Sequence, residues 1–329
     1  MTYSTGGLIQ ATDYNGFAST TAGGNVNVIW GAGTGDAGYG QSTTLATVSA
    51  GGTVTATQWA GLVNRISSIA SHQGTTITAR TAPVAGNVIA VLAAVQTDLN
   101  NCYTNRGNAT GTGSQFTGWT GTSSKTSATG SGTTPWTITF THTITWASAN
   151  AARYFFNAGG RIKWETSKTA DATEADTEWN DLANTLVGDI FITGGTGTQT
   201  IAGTAYTGTT KIGGTGTPTT LLTTTGWYDL TTGDTTIYRQ FADTAPYTGS
   251  YINIAAKTAG AGTQLVLTTT WVDPGGASVG STDAISGGTA TTGISFGTAP
   301  ATVVTYFPPS TSSLTEASWG TPTVAATTA

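Results

Sequence analysis

A chain of 329 residues has room for one large or two ordinary domains of about 100–200 residues each, and a single cysteine, Cys102, excludes a disulfide framework and any cysteine metal-ligand spacing. Charged residues make up 8% of the chain, 11 basic against 16 acidic for a net charge of -5, which leaves no basic surface for phosphates and argues against a nucleic-acid partner. Aromatics reach 9%, glycine occurs 46 times and threonine is about a quarter of the chain, so a folded, strand-rich protein is indicated, not the aromatic-poor composition of disorder.

The opening residues lack the basic and apolar regions of an export signal, and no stretch approaches the ~18 apolar residues of a membrane span. Segments 9–17 and 54–62 then match in register: Ala11 with Ala56, Thr12 with Thr57, Tyr14 with Trp59, Gly16 with Gly61. Each carries a Thr where an N-cap would sit, which predicts two helix starts. The second continues through Trp59, Leu62, Val63, Ile66 and Ile69 at helical spacing and stops at Gly74. The first is interrupted by Gly16, Gly23 and Gly24 before Val26–Trp30. A further helix is predicted over 87–105, with Val88, Val91, Leu92, Val95, Leu99 and Cys102 on one stripe.

Residues 107–134 are nearly all Gly, Thr, Ser and Asn and read as a linker or surface loop. From Trp136 to Trp146 apolar and polar residues alternate over eleven positions, with His142 in the run, the pattern of a half-buried strand. Further strands are predicted at 161–165, 221–230, 236–241, 251–257, 264–271 and 303–307, with a helix over 172–187 between them. The fold class that follows is mainly β: an antiparallel β-sandwich or jelly-roll-like domain, preceded by a smaller helix-containing domain. The divisions are 1–106 for the helical assembly domain, 107–134 for the linker, 135–308 for the β-sandwich and 309–329 for an extended tail.

Few residues suggest chemistry. The run from Gly31 to Gly40 has phosphate-loop spacings but lacks the Gly-Lys-Ser/Thr ending and the strand, helix and acid of a dinucleotide site. His72 lies near a helix end, and His142 reads as part of the polar face of its strand; neither has a sequence-local acid or nucleophile. Cys102 reads as a core hydrophobe. Asp171, Glu174, Asp176, Glu178 and Asp181 read first as a solvated helix face, with calcium binding as the next reading and a glycosidase pair as the weakest. Asp273 and Asp283 belong to turns. Trp119, Trp227, Tyr228, Tyr247 and Tyr251 are candidates for stacking on sugars if exposed, and core or interface residues otherwise. No catalytic, cofactor or metal set emerges, so the expectation is a protein that is not an enzyme and binds no cofactor.

Three motifs carry a resemblance: Ile9-x-Ala11-x-Asp13-Tyr14-Asn15; Trp30-Gly31-x-Gly33-x-Gly35-x-x-Gly38-Tyr39-Gly40-Gln41 with the helix ending Ser71-His72-Gln73-Gly74; and the run from Ala151 to Ile162. With the Thr-rich strands ending at Trp271-Val272-Asp273, this pattern resembles virion structural proteins of tailed, cyanophage-like bacteriophages. The resemblance touches both halves of the chain, carries over no catalytic residue, and fixes the particle better than the position on it. It implies synthesis in a host cytoplasm without a signal peptide and a final location in the virion.

The expected function is therefore a structural virion subunit, a homo-oligomeric tail-fibre or tail-appendage protein partnered by itself and by other virion proteins. Head-decoration or fibrous-sheath subunits are the near alternative, and a carbohydrate-binding adhesin or tailspike that meets a host surface glycan the distant one. Tyr14, Phe17, Trp30, Trp59, Leu62 and Ile66 are the predicted assembly contacts.

Overall fold

The computed structural model describes residues 10–20, 24–86, 92–114, 123–125, 127–128, 135–169, 174–195, 197–275, 294–295 and 300–329. Its α-helices are α1 (Ala11–Asn15), α2 (Val26–Trp30), α3 (Ala56–Gln73), α4 (Leu92–Thr104), α5 (Ala149–Asn157) and α6 (Glu174–Asp181). Its strands are β1 (Ser123–Ser124), β2 (Ser127–Ala128), β3 (Trp136–Thr145), β4 (Arg161–Ser167), β5 (Asp189–Ile192), β6 (Gln199–Ile201), β7 (Thr204–Tyr206), β8 (Thr209–Ile212), β9 (Thr220–Leu221), β10 (Thr235–Phe241), β11 (Tyr251–Ala259), β12 (Gln264–Asp273), β13 (Ile294–Ser295), β14 (Ala301–Phe307) and β15 (Thr323–Thr328). The protein is mainly β with a helical region, as the composition and patterning predict.

Period two sets the larger sheet. Its order is β15-β3-β12-β11-β10-β9, every pair antiparallel. Opposite residues share a face, so Ile138 pairs with Trp271 and Trp271 with Ile252, while Phe140 meets Thr269 and Thr269 meets Ile254. This face is buried. A second sheet, β1-β14-β4-β5-β8, lies against it: Trp164 of β4 donates through Nε1 to Thr269 Oγ1 of β12 at 2.8 Å. Trp179 of α6 packs beside both Trp136 (5.1 Å between centroids) and Trp271 (5.3 Å, stacked). One hydrophobic core runs unbroken from Ala11 of α1 through these sheets to Trp319.

The matched segments do begin helices, and in both the side chain at the third helical position accepts from the N–H of the capping residue. Thr55 and Gln58 exchange hydrogen bonds as a capping box, Thr55 Oγ1 accepting from the Gln58 N–H (3.2 Å) and Gln58 Oε1 from the Thr55 N–H (2.8 Å). At the equivalent place in α1 the Gln10 N–H donates to Asp13 Oδ2 (3.0 Å), so Gln10 is the cap there and Thr12 lies inside the helix. α1 runs straight into a π-helical stretch, Gly16–Thr20. α3 ends at Gly74 with φ of 71°, the left-handed stop its sequence predicts. Of the stripe predicted over 87–105, Val95, Leu99 and Cys102 are buried in α4, while Val88 and Val91 lie outside the described residues.

Several expectations are corrected. His142 stands on the buried face with Phe140 and Ile144, because the alternation that puts Thr outward puts every even-numbered position inward. The strand predicted at 221–230 is only β9, followed by a turn and the short 3-10 helix Trp227–Asp229. α5 was not anticipated; Ser148 caps it by accepting from the Ala151 N–H (3.0 Å). The 309–329 segment is not a loose tail, since Leu314 and Trp319 are buried and β15 pairs with β3 over six residues. Within 107–134, the described part includes buried Ala109 and β1, which pairs with β14. The boundary at 106 does not separate two cores.

Candidate functional site

The six predicted assembly residues lie inside the chain's own core. Tyr14, Phe17, Trp30, Trp59, Leu62 and Ile66 are each at most 3% exposed, so they leave no surface for a neighbour. Tyr14 and Phe17 pack on Trp59 at 6.3 and 6.1 Å between centroids, and the Arg65 guanidinium covers Trp30 at 3.9 Å. Their apolar spacing is correctly read, but the partner it needs is the rest of the same molecule.

The glycine-rich run between α2 and the segment before α3 is held by its carbonyls. Arg153 of α5 donates to the Ala32 carbonyl (2.7 Å) and the Gly35 carbonyl (3.3 Å). Asn157 Nδ2 donates to the Gly38 carbonyl (3.0 Å), and the Tyr228 hydroxyl donates to that of Gly35 (2.9 Å). The N–H groups of Ala37, Tyr39, Gly40 and Gln41 are bonded to other backbone carbonyls. A phosphate cradle needs such N–H groups free to converge on the ligand. At Gly40, with φ of 72°, a Cβ would come within 2.3 Å of the Tyr154 ring, so only glycine fits.

Just beyond, three motifs met in the sequence converge on one buried polar junction. Tyr39 packs on His72 (4.9 Å between centroids), donates its hydroxyl proton to the Arg106 carbonyl (2.9 Å) and accepts from Gln73 Nε2 (2.7 Å). His72 Nε2–H donates to the Ala158 carbonyl (3.0 Å), which fixes the proton on Nε2. Burial pulls the pKa of His72 down to about 4 and pushes the Cys102 thiol up to about 12. A neutral imidazole and a protonated thiol, both enclosed, do structural work. Gln41, 2% exposed, reaches the far end of the chain. Its Oε1 accepts from the N–H groups of Thr315 (2.8 Å) and Glu316 (3.0 Å), and its Nε2 donates to the Glu316 carbonyl (2.9 Å).

The stacking candidates are largely enclosed. Trp227 and Tyr247 are buried, Tyr228 and Tyr251 half-buried, and Trp119 lies outside the described residues. Trp227 stacks on Phe156 at 5.3 Å.

The acidic run is not a uniform solvated face. Asp171 lies outside the described residues. Asp176 is paired with buried Lys168 at 2.6 Å. Glu178 and Asp181, three apart on α6 and so on one side of it, meet Asp243, which follows β10. Carboxylate oxygens of these three lie within 4.8 Å of one another. Glu178 is 8% exposed, and its Oε1 is sheltered with no hydrogen-bond partner. Its pKa is raised, first by burial and then by Asp181 and Asp243. Glu178 and Asp181 were visible in the sequence as members of an acidic run; Asp243 was not, because nothing local marks a residue that the fold delivers from another element. Gln41, Arg153 and Asn157 were missed for the same reason.

Among the described residues, no helix is long and apolar enough to cross a membrane. Comparison with protein-family models, with curated proteins and with solved structures finds no match.

Proposed function

We propose that the chain is a non-enzymatic structural subunit of a bacteriophage virion, a tail-fibre or tail-appendage protein that assembles symmetrically with copies of itself. The outer face of the larger sheet carries this reading. Its registered rows run Thr327, Thr141, Thr268, Ala255, Thr236, flanked by Ala325, Thr143 and Lys257 on one side and by Thr139, Thr270 and Arg239 on the other, with Val266 and Asn253 of the flanking rows buried within the chain. Charge enters these rows only at Lys257 and Arg239, on β11 and β10. Such a face loses little side-chain entropy when covered, because Thr is stiff at χ1 and Ala has no rotamers. It also spares most of the desolvation cost that lysine and glutamate would bring. Sheet faces of this kind pack about 10 Å apart, and a repeated self-complementary patch suits closed symmetry. The resemblance of the glycine-rich and α5 segments to virion proteins supplies the particle.

Light scattering across a concentration range tests the assembly. The expected result is a fixed multiple of 33.1 kDa that falls to the monomer when Thr141→Lys and Thr268→Lys place two charges mid-face. A monomer at every concentration overturns the self-assembling subunit. Gradient-purified phage particles carrying the gene are expected to contain the chain in many copies, and its absence from them overturns the virion assignment.

A further inference from the structure

A carboxylate enclosed by protein normally spends both oxygens on donors, because an unused one forfeits its hydration without compensation. Glu178 departs from that rule. Its carboxyl group is approached by both the N–H and the hydroxyl of Thr244, yet Oε1 is sheltered and has no donor. The nearest ionisable neighbours, Asp181 and Asp243, add charge of the same sign. None of the three forms an ion pair with a lysine or arginine among the described residues.

We propose that Glu178, Asp181 and Asp243 bind a hard divalent cation, calcium in preference to magnesium, which fastens α6 to the segment following β10. The donor set is all oxygen and threefold anionic when ionised, with no nitrogen or sulfur to favour zinc or copper. The number of carboxylates favours the larger ion, because calcium accepts several in a flexible shell, whereas magnesium takes one or two and keeps several waters. Oxygens that all lie within 4.8 Å of one another are close enough to share one such ion. Asp243 is exposed and Asp181 half-exposed, which opens the site to an entering ion and to the waters that complete its coordination. Glu178 closes the inner side.

The site also explains the placement of its parts. Glu178 neighbours Trp179, the ring that packs between Trp136 and Trp271. The segment after Asp243 is anchored by buried Tyr247. Neutralising the cluster joins two elements that otherwise repel through their carboxylates.

The test is calorimetric titration of the EDTA-treated, dialysed full chain with calcium chloride and separately with magnesium chloride, alongside thermal unfolding in each salt. Expected is one calcium bound per chain, with an affinity in the range of about 0.1–1 mM typical of extracellular sites, weaker magnesium binding, and a melting temperature raised by calcium. Asp243→Asn is expected to weaken calcium binding by about tenfold or more. Glu178→Gln is nearly isosteric and relieves the repulsion, so in EDTA it is expected to melt no lower than the parent while losing the calcium-induced rise. Absence of calcium heat and of a melting shift up to about 10 mM, well above that range, overturns the proposal. So does unaltered calcium binding in Asp243→Asn, or a Glu178→Gln protein that keeps the full calcium-induced rise.

Discussion

His72 shows how one enclosed side chain gives a 329-residue protein a dependence on pH. Its pKa is lowered from 6.5 to about 4 by burial. Between those values the unfolded chain takes up a proton that the folded chain refuses, so this group's contribution to stability is intact above pH 6.5 and is lost as the pH falls. The loss reaches roughly 3 kcal/mol by pH 4. Urea unfolding of the parent and of His72→Gln, whose amide can still donate to the Ala158 carbonyl, is expected to diverge by about this amount between pH 6.5 and pH 4, with the variant the flatter; parallel profiles sink the argument. At this scale the sequence was partly legible. Cys102 on an apolar stripe reads as a core residue and is one. His142 was misread as part of the polar face, because its Thr neighbours outweighed the strand parity that turns it inward. Gln41 was not legible, because its partners lie 274 and 275 positions away and no local pattern announces a buried amide.

Among the elements, those with unbroken periodicity were readable and those held by distant contacts were not. β3 and α3 carry their own signals: ten residues of period-two patterning in one, a capping box and a terminal glycine in the other. α5 is nine residues long and depends on being covered by the glycine-rich run, while the predicted strand after β9 gives way to a turn that positions Trp227 against Phe156. The 309–329 segment is low in apolar residues and reads as a tail until its hydrogen bonds are followed to Gln41. Replacing that residue by leucine leaves the part-buried N–H groups of Thr315 and Glu316 without their acceptor and is expected to cost about 1–3 kcal/mol. Hydrogen exchange followed by mass spectrometry checks where the damage falls. The amides of 314–319 and of β15 are expected to lose protection first, and loss spread evenly over the chain counts against a clasp.

At the scale of the molecule, the mainly β class and the helical region were legible from composition and patterning, but the number of cores was not. A glycine-, threonine- and serine-rich stretch looks like a boundary in sequence; in space Ala109, which belongs to it, is buried in a satellite cluster with Phe191, Ile201 and Tyr206. A continuous core predicts that residues 1–106 expressed alone lack stable helices by far-ultraviolet circular dichroism, and that α3 and β12 open together in native-state exchange. A folded 1–106 fragment, or separate opening of the two, argues for independent domains. The pairing of β15 with β3 then bears on the order of synthesis. β3 leaves the ribosome long before its outer neighbour exists, and the socket at Gln41 waits longer still. During that interval the nascent chain displays an unpaired strand edge rich in β-branched residues, the feature through which chains join one another. A chain cut short ahead of residue 314 thus keeps that β3 edge permanently open to the unpaired edge of another incomplete chain.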